Sequence, residues 1–583
     1  VNEPVPGGKR LAAPRFARVY ASDLNQGLLF AGVGAILLYL VLPPLALLVQ
    51  ASLLVGRQPP QLSLENYHAV LTSSDLPVLF ANTLEFALGG SLIALFFGSL
   101  LAWLVERTDA RLKSVAYGSA FLALAMPNII KVIGWVFLLG PNNGILTGWA
   151  MSLLGVTSLP FNLFSPAGLV LVNGLNWIPG VLLLMAIPFR SMDTALEEAA
   201  ATHGASRRDI VLRVTLPLAR PAALSVLLLT IVQSLENFDT PAVIGIPGRV
   251  YLFSTRIYTQ FKQGIEPNFG LIGAYSILLM AMVCAGLWLY LRATGDARRF
   301  QFITGKGFRP AVLKLGLGRG PATALVALLP TIVALPLLVL LWVALQPLYT
   351  RSSFGSLSQL TMDHFVEAFT RRNIQAALTN SLAVGVSAAT VTVLITTIMV
   401  WLVLRSRIPG RTALEQLASF TLALPGIVLG VALLRTYLTI PIPLYGTIWL
   451  LTVAYVTRGI PYAIRYIHAG LIQINQQLEE SARVSGANDV ITFFRILIPL
   501  MTPALFAAWI WVFLQSVSEL SMAIMLVGPD SQVVSSTIFD LYFTGLFPEL
   551  AAFSVVVALL FAIFSIGAQR ISRRWGDAFV VAP

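Results

Sequence analysis

Three acidic side chains stand where the surrounding sequence leaves little room for charge: Glu236 and Asp239 in the apolar run 221–244, and Glu519 in the run 500–527. Carboxylates in such surroundings are costly and generally face a cavity, a partner or an ion pathway. With Asn237 and Ser518 beside them they offer hard oxygen donors, the ligand type that suits a hard cation such as Fe³⁺, held transiently at Glu236 and Glu519. Displaced by 282 positions, Glu519 falls opposite Asn237 and Ser518 opposite Glu236, so the acids approximate one another across a two-fold axis. The same acids would equally serve at helix ends, or as caps on a helix broken before Pro241. Lys131, in the run 114–139, either opposes a purely cation-lined path or neutralises one of these acids.

Other chemistry is thin. Tyr445, Tyr455, Tyr462 and Tyr466 read as packing or interfacial aromatics rather than phenolate ligands. His68, His203, His364 and His468 lack zinc-site spacing. Cys284 is the only cysteine, which excludes an internal disulfide and a thiolate cluster. Gly305-Lys306-Gly307 lacks the preceding glycine and following Ser/Thr of a phosphate-binding loop, and no such loop occurs elsewhere. The chain is therefore expected to be no enzyme, to bind no cofactor and to hydrolyse no ATP by itself.

The elements that must position these residues are membrane helices. Of the 583 residues 57% are hydrophobic and 11% charged, and the mean hydropathy is +0.81. Twelve apolar stretches are long enough to cross a hydrocarbon core of about 30 Å: roughly 27–52, 80–105, 114–139, 166–188, 221–244, 270–293, 322–346, 378–404, 414–437, 446–468, 500–527 and 549–570. Lipid offers no partner to unpaired backbone groups, so all twelve are expected to be helices. The first run is long and lacks a small-residue cleavage pattern, which reads as a retained helix rather than a signal peptide.

The net charge of +12 is a topology signal rather than a sign of nucleic-acid binding. With a cytoplasmic N-terminus, the cytoplasmic segments of the first half carry nineteen Lys or Arg, against only Arg57, Arg249, Arg256 and Lys262 opposite. The second half repeats the bias with ten against Arg351, Arg371 and Arg372. The positive-inside rule then puts both termini in the cytoplasm.

The chain also contains one segment twice. Leu196-Glu197-Glu198-Ala199-Ala200 with Gly204-Ala205 reappears as Leu478-Glu479-Glu480-Ser481-Ala482 with Gly486-Ala487. The shift of 282 persists through Pro217 and Pro499, Pro221 and Pro503, and Gln233-Ser234 and Gln515-Ser516. Upstream, Asn82 to Arg107 matches Asn380 to Arg405 at a shift of 298, and Pro127 matches Pro425. The difference of 16 residues is expected in the loop Gly140–Ser165 of the first half. Residues 1–300 then form a first repeat with a polar loop at 190–216, 301–321 a cytoplasmic linker, and 322–583 a second repeat with a polar loop at 472–498. Six helices per repeat in the same topology predict parallel repeats about an axis along the membrane normal. Each loop reads as a short helix, a glycine turn, a second helix and a proline, an L-shaped element standing off the membrane on the cytoplasmic side.

This pattern, Glu198-Ala199-Ala200 with Gly204 and Pro217, and Glu480-Ser481-Ala482 with Gly486 and Pro499, resembles the cytoplasmic "EAA" loop of ABC-importer permeases. The serine at 481 is a mild departure. The resemblance implies a type I importer permease fold, all-α and integral to the bacterial inner membrane. It implies that Glu197, Glu198, Ala199 and Gly204, with Glu479, Glu480, Ala482 and Gly486, couple to an ATPase subunit. Two fused permease halves, Gln233 to Ala242 and Thr304 to Pro310 are similar to the ferric-ion importers, with Asn237 and Asp239 where that group usually has Asp and Gly. The implied partners are a homodimeric ATP-binding cassette ATPase that carries the ATP and Mg²⁺, a periplasmic solute-binding protein and membrane lipid, with no nucleic acid. Thiamine, aminoethylphosphonate or another small solute is the alternative cargo, and an ion-driven secondary transporter the alternative machine.

Overall fold

In a computed structural model the described residues are 14–56, 61–192, 195–264, 266–294, 313–349 and 359–574. Most of the expected linker, 301–312, lies outside them. The first half runs α1 (Pro14–Leu53), α2 (Glu65–Leu71), α3 (Leu76–Arg107), α4 (Lys113–Ala125), α5 (Asn128–Leu139), α6 (Ile145–Leu154), α7 (Pro166–Ser191), α8 (Ala195–Thr202), α9 (Arg207–Ile210), α10 (Leu216–Glu236), α11 (Phe253–Lys262) and α12 (Phe269–Thr294). The second runs α13 (Arg319–Ala344), α14 (Asp363–Thr370), α15 (Arg372–Arg405), α16 (Arg411–Phe420), α17 (Gly426–Thr439), α18 (Ile448–Ile472), α19 (Gln477–Val484), α20 (Asp489–Thr492), α21 (Ile498–Ser518), α22 (Ala523–Leu526), α23 (Val534–Phe543) and α24 (Phe547–Arg574). A short hairpin, Leu54–Val55 with Gln61–Leu62, is the sole sheet among the described residues.

Nine helices among the described residues are long and apolar enough to cross a membrane, and two bent pairs bring the number to eleven. The pairs are α4 with α5, bent by 107°, and α16 with α17, bent by 106°. Both bends fall at Pro127 and Pro425, whose missing N–H and fixed φ stop the preceding helix and open the next. Helix α18, whose apolar run is diluted by Arg458 and Arg465, covers the tenth expected stretch, 446–468. This is an all-α, multi-pass membrane protein.

Two spans differ from their expected bounds. Helix runs without interruption from Arg208 to Glu236 and from Asp489 to Ser518, so these spans start earlier and stop sooner than 221–244 and 500–527. The extended backbone of Asn237 (φ −66°, ψ 129°) ends the first. The proline after each polar loop breaks nothing: a π-turn, Val211–Thr215 in one case and Phe493–Leu497 in the other, leads straight into α10 and α21. The wider π-turn relieves the clash a proline ring makes with the carbonyl four residues back, so Pro217 and Pro499 sit in the first turn of the next helix without a kink. The extra residues of the first half form the turn at Pro141–Asn143 and helix α6.

The chain folds into two compact units. One comprises residues up to Pro43, Val386–Leu422 and Tyr455–Phe513; here Gly34 of α1 lies against the side chain of Leu414 at 3.5 Å from its would-be Cβ. The other comprises Pro44–Gly385, Ala423–Ala454 and Leu514 onward. Its α3 and α7 meet through small residues, as lipid-embedded helices must when no hydrophobic drive separates them from solvent. A Cβ on Gly98 would stand 2.6 Å from Val181, and one on Gly90 2.4 Å from Asn173. In the same unit α13 packs on α4, α5 and α24, and Gly134 of α5 admits the backbone of Pro336. The opening helix of each half thus packs with helices of the other half.

Candidate functional site

The first polar loop is built on an arginine. Arg107, the last residue of α3 and only 3% exposed, donates to the carboxylate of Glu197 and reaches the Met192 carbonyl at 3.5 Å. Glu197 also accepts from Thr215 Oγ1 at 2.7 Å, tying α8 to the π-turn. Helix α8 ends in a left-handed glycine, Gly204 at φ +83°; Gly204 N donates to Ala201 O and Ala205 N to Ala200 O, both at 3.0 Å. This is the Schellman arrangement, which needs a residue without Cβ strain at the left-handed position. Leu196, Glu198, Ala199 and Gly204 face outward, exposed.

The second loop repeats the construction in its own unit. Arg405, the last residue of α15, makes an ion pair with Glu479 at 2.7 Å and donates to the carbonyls of Leu471 (3.2 Å) and Ile474 (2.8 Å). Gly486 stands at φ +90°, with Gly486 N on Arg483 O and Ala487 N on Ala482 O, both at 3.0 Å. Leu478, Glu480, Ser481, Val484 and Gly486 are exposed, whereas Glu479 and Ala482 are buried. The leading glutamate of each loop therefore anchors to its own chain, and the second, Glu198 or Glu480, is exposed. A buried ion pair costs desolvation on both sides and is kept where it fixes geometry.

The pathway candidates gather at breaks in the helices. Asn237 Oδ1 accepts from Thr240 N at 3.1 Å, turning the chain out of α10, and the Asn237 carbonyl accepts from Ser254 Oγ. Glu236 is buried, 7% exposed. Asp239 lies beside the Asn128 amide and within electrostatic reach of Lys131 and Glu519. Glu519 Oε1 accepts from Met522 N at 3.3 Å and lies 3.3 Å from where a Cβ of Gly426 would be. Ser518 turns back instead, donating to the Leu514 carbonyl at 2.7 Å. The Pro127 bend, the Pro425 bend and the ends of α10 and α21 thus converge on Asp239 and Glu519. Non-helical backbone at membrane depth survives where it is buried in protein or lines a water-filled cavity. Among the described residues no group of three or more His, Cys, Asp or Glu is placed to hold a resident metal ion.

The corresponding helices α11 and α23 flank a cavity of about 610 Å³ lined by Tyr258, Lys262, Phe539 and Asp540 among others. Each helix opens with the same backbone lock: Leu252 N on Thr255 Oγ1 (2.9 Å) and Val533 N on Ser536 Oγ (3.1 Å). Burial pushes the Asp540 carboxyl up, an effect Lys262 offsets in part. Burial, with Asp540 nearby, pushes the Tyr258 phenol up to about 12.

Sequence reasoning found both loops and the acids but missed what holds them. Arg107 and Arg405 close the two matched helices at the shift of 298, so the signal was present; only contact reveals that each grips the leading glutamate. Lys131, read from the sequence as opposing a cation-lined path or neutralising an acid, has Asp239 as a charge neighbour.

A profile of the family described as "Binding-protein-dependent transport system inner membrane component" matches residues 90–293 and 398–576. The putative ferric transport system permease protein FbpB 1 of Haemophilus influenzae is 25% identical over 475 residues, covering 80% of this chain and 72% of that one. The ferric transport system permease protein FbpB of Actinobacillus pleuropneumoniae is 23% identical over 488 residues, covering 81% and 68%. The spermidine/putrescine transport system permease protein PotC of Haemophilus influenzae is 27% identical over 201 residues, covering 34% and 77%.

Proposed function

This chain belongs to the family of binding-protein-dependent transport system inner membrane components, and from that premise we propose that it is the membrane subunit of an ATP-driven importer of ferric iron. Residues 1–300 and 322–583 are its two permease repeats. Both termini and both polar loops face the cytoplasm, in line with the basic bias of those segments. A periplasmic binding protein delivers the ion to the opposite face. A homodimeric ATPase, which carries the ATP and Mg²⁺, receives one loop on each of its subunits.

The single observation that carries this reading is the duplicated loop architecture. Each loop is fixed to its own chain by an arginine and the leading glutamate, and each presents an exposed face of apolar and acidic residues: Leu196 and Glu198 in one, Leu478, Glu480 and Val484 in the other. Exposed apolar side chains on a polar helix are what a partner's cleft would cover. A rigid arm can then transmit the closure of the ATPase pair to α10 and α21 through the π-turns. The chain itself supplies a gated path and a mechanical linkage, and no chemistry.

The cargo assignment rests on the ferric relatives, which match nearly the whole plan of the chain, and on the carboxylates of Asp239 and Glu519 at the helix breaks. The polyamine permease matches one third of the chain and makes an organic cation the second reading. The test reconstitutes the permease with its ATPase and binding protein in liposomes and follows ⁵⁵Fe³⁺ and ¹⁴C-putrescine. ATP-dependent accumulation of iron alone is expected; accumulation of putrescine without iron overturns the ferric reading. Replacing Glu198 and Glu480 by Arg should abolish ATPase association, and unimpaired assembly would remove the loops from the coupling role.

A further inference from the structure

Leu42-Pro43 of α1 and Leu335-Pro336 of α13 stand 293 positions apart, and at that shift Gln26 falls opposite Arg319. Both polar side chains reach an aspartate of the other repeat, in or beside its polar loop. Arg319 Nε lies 3.7 Å from Asp109 Oδ2, two residues beyond the arginine that anchors Glu197. Gln26 Nε2 donates to Asp489 Oδ2 at 2.9 Å, and Arg483 of α19 holds the other oxygen of that carboxylate at 3.2 Å. Asp489 opens α20, so Gln26 touches the corner between the two arms of the second loop. Each junction lies inside one compact unit.

The first junction is the more extensive. Leu313 N donates to the Arg107 carbonyl at 2.9 Å and Asp109 N to the Leu313 carbonyl at 3.2 Å, a parallel bridge across Thr108. Asp109 Oδ1 accepts from Leu315 N at 3.0 Å, and Thr323 Oγ1 accepts from Arg111 N at 3.1 Å. Arg107 thus has its carbonyl held by the segment before α13 while its guanidinium holds Glu197. The same turn contains Leu112 at φ +66°, where the second repeat has Gly410 at φ +79° at the shift of 298. A left-handed leucine is strained and persists where its surroundings over-determine the backbone. Its side chain is 42% exposed, so burial offsets little of the strain, and the hydrogen bonds from 313–323 supply the restraint. Arg407 stands opposite Asp109, so the second repeat has no carboxylate there, and its loop is reached through Asp489 instead.

We propose that the opening helix of each repeat is a positioning element for the polar loop of the other: Arg319, with Leu313 and Leu315 before it, sets the first loop through Asp109 and Arg107, and Gln26 sets the second through Asp489. The inference rests on the importer reading above and adds a route to it. Load taken up by either loop passes to the opening helix of the opposite repeat as well as to the span that follows the loop. Hydrogen bonds are short and directional and so carry displacement, whereas an exposed ion pair is screened and holds little. In the first junction the bond from Leu315 N to Asp109 is therefore the part that matters, and the charge of Arg319 is secondary.

Amide exchange on the purified full chain in nanodiscs tests the two junctions without ATPase or cargo. Asp109→Ala should speed exchange roughly five-fold at residues 195–205, the effect of one lost hydrogen bond on a local opening equilibrium, and leave 477–487 unchanged. Gln26→Glu, which sets a second carboxylate against Asp489, should do the reverse. Asp109→Asn keeps an oxygen for Leu315 N, and Gln26→Lys offers an ammonium to Asp489; both should match the unaltered protein. Where Asp109→Ala or Gln26→Glu fails to fold, Leu313→Pro or Gln26→Leu removes one hydrogen bond and takes its place. Exchange unchanged in the loop a variant addresses, or raised alike in both loops as a general loss of stability would do, overturns the proposal. In liposomes with the ATPase, the binding protein and ⁵⁵Fe³⁺, Asp109→Ala and Gln26→Glu should hydrolyse several-fold more ATP per ion imported, while Asp109→Asn and Gln26→Lys keep the unaltered ratio. An unaltered ratio in the first pair overturns the positioning role. If the unaltered protein imports putrescine and not iron, the ratio is read on putrescine; if it imports neither, the importer reading fails and amide exchange alone decides whether the junctions hold the loops.

Discussion

At the scale of single residues, the two arginine anchors differ in depth, and the difference has a measurable consequence. The Arg107 side chain is 3% exposed and, among the described residues, keeps only the Met192 carbonyl at 3.5 Å besides Glu197, whereas Arg405 is 12% exposed and also donates to the carbonyls of Leu471 and Ile474. Glu197→Ala leaves the buried Arg107 guanidinium without its carboxylate, a loss on the order of 3 kcal/mol. Glu479→Ala should cost less, about 1–2 kcal/mol, because Arg405 keeps two carbonyl acceptors. Thermal unfolding of the two purified variants in one detergent should therefore place Glu197→Ala lower; the reverse order would show that arginine depth does not rank the anchors. Gly204→Ala and Gly486→Ala meet no steric obstacle but must hold a left-handed backbone, costing roughly 1–2 kcal/mol of local helix-end stability each. Faster amide exchange at residues 199–205 and 481–487 is the expected readout. The glycines were legible in the sequence because the left-handed position leaves a compositional mark. The arginines were legible as matched helix ends, but their grip on the leading glutamates was not, because a salt bridge between distant segments leaves no mark on spacing.

At the scale of elements, the π-turns and bends decide where side chains point. Pro217→Ala and Pro499→Ala restore the missing amide and let each π-turn relax to an ordinary helical turn. One residue per turn is then lost from the bulge, and everything upstream rotates by about 100° about the helix axis. Under the importer reading, such variants should keep their circular dichroism and assembly with the ATPase yet lose most ATP-driven uptake; normal uptake would show that the orientation of α8 and α19 is immaterial. In the α3–α7 contact, Gly98→Leu drives a side chain into Val181 and should cost about 1–3 kcal/mol, seen as a lower unfolding temperature. Helix existence and order were readable from apolar length, including both spans bent at prolines. The π-turns were not, since Pro217 and Pro499 look like helix breakers until the turn before them is seen.

At the scale of the whole molecule, sequence repetition marks two repeats, and the opening helix of each packs with helices of the other. The shifts of 282 and 298 reveal which elements correspond but carry no record of which neighbours they choose. Residues 1–300 produced alone lack α13, the helix that covers α4 and α5, and should be degraded quickly in the membrane. Co-production of 1–300 with 301–583 should restore both fragments to full length on a pulse-chase gel; a stable lone fragment would mean that the cover is dispensable. The exchanged helices also set a timetable for biosynthesis. Helix α5 ends at Leu139 and its cover begins at Arg319, so at ~5–20 residues per second the ribosome leaves that flank open for roughly ten to forty seconds. Helix α1 waits longer, until Val386–Leu422 has been made. Each half is a debtor to sequence not yet translated. Lipid or the insertion machinery must shelter these surfaces meanwhile, and slow codons or a stalled ribosome between α5 and α13 would do their damage to the nascent chain rather than to the finished transporter.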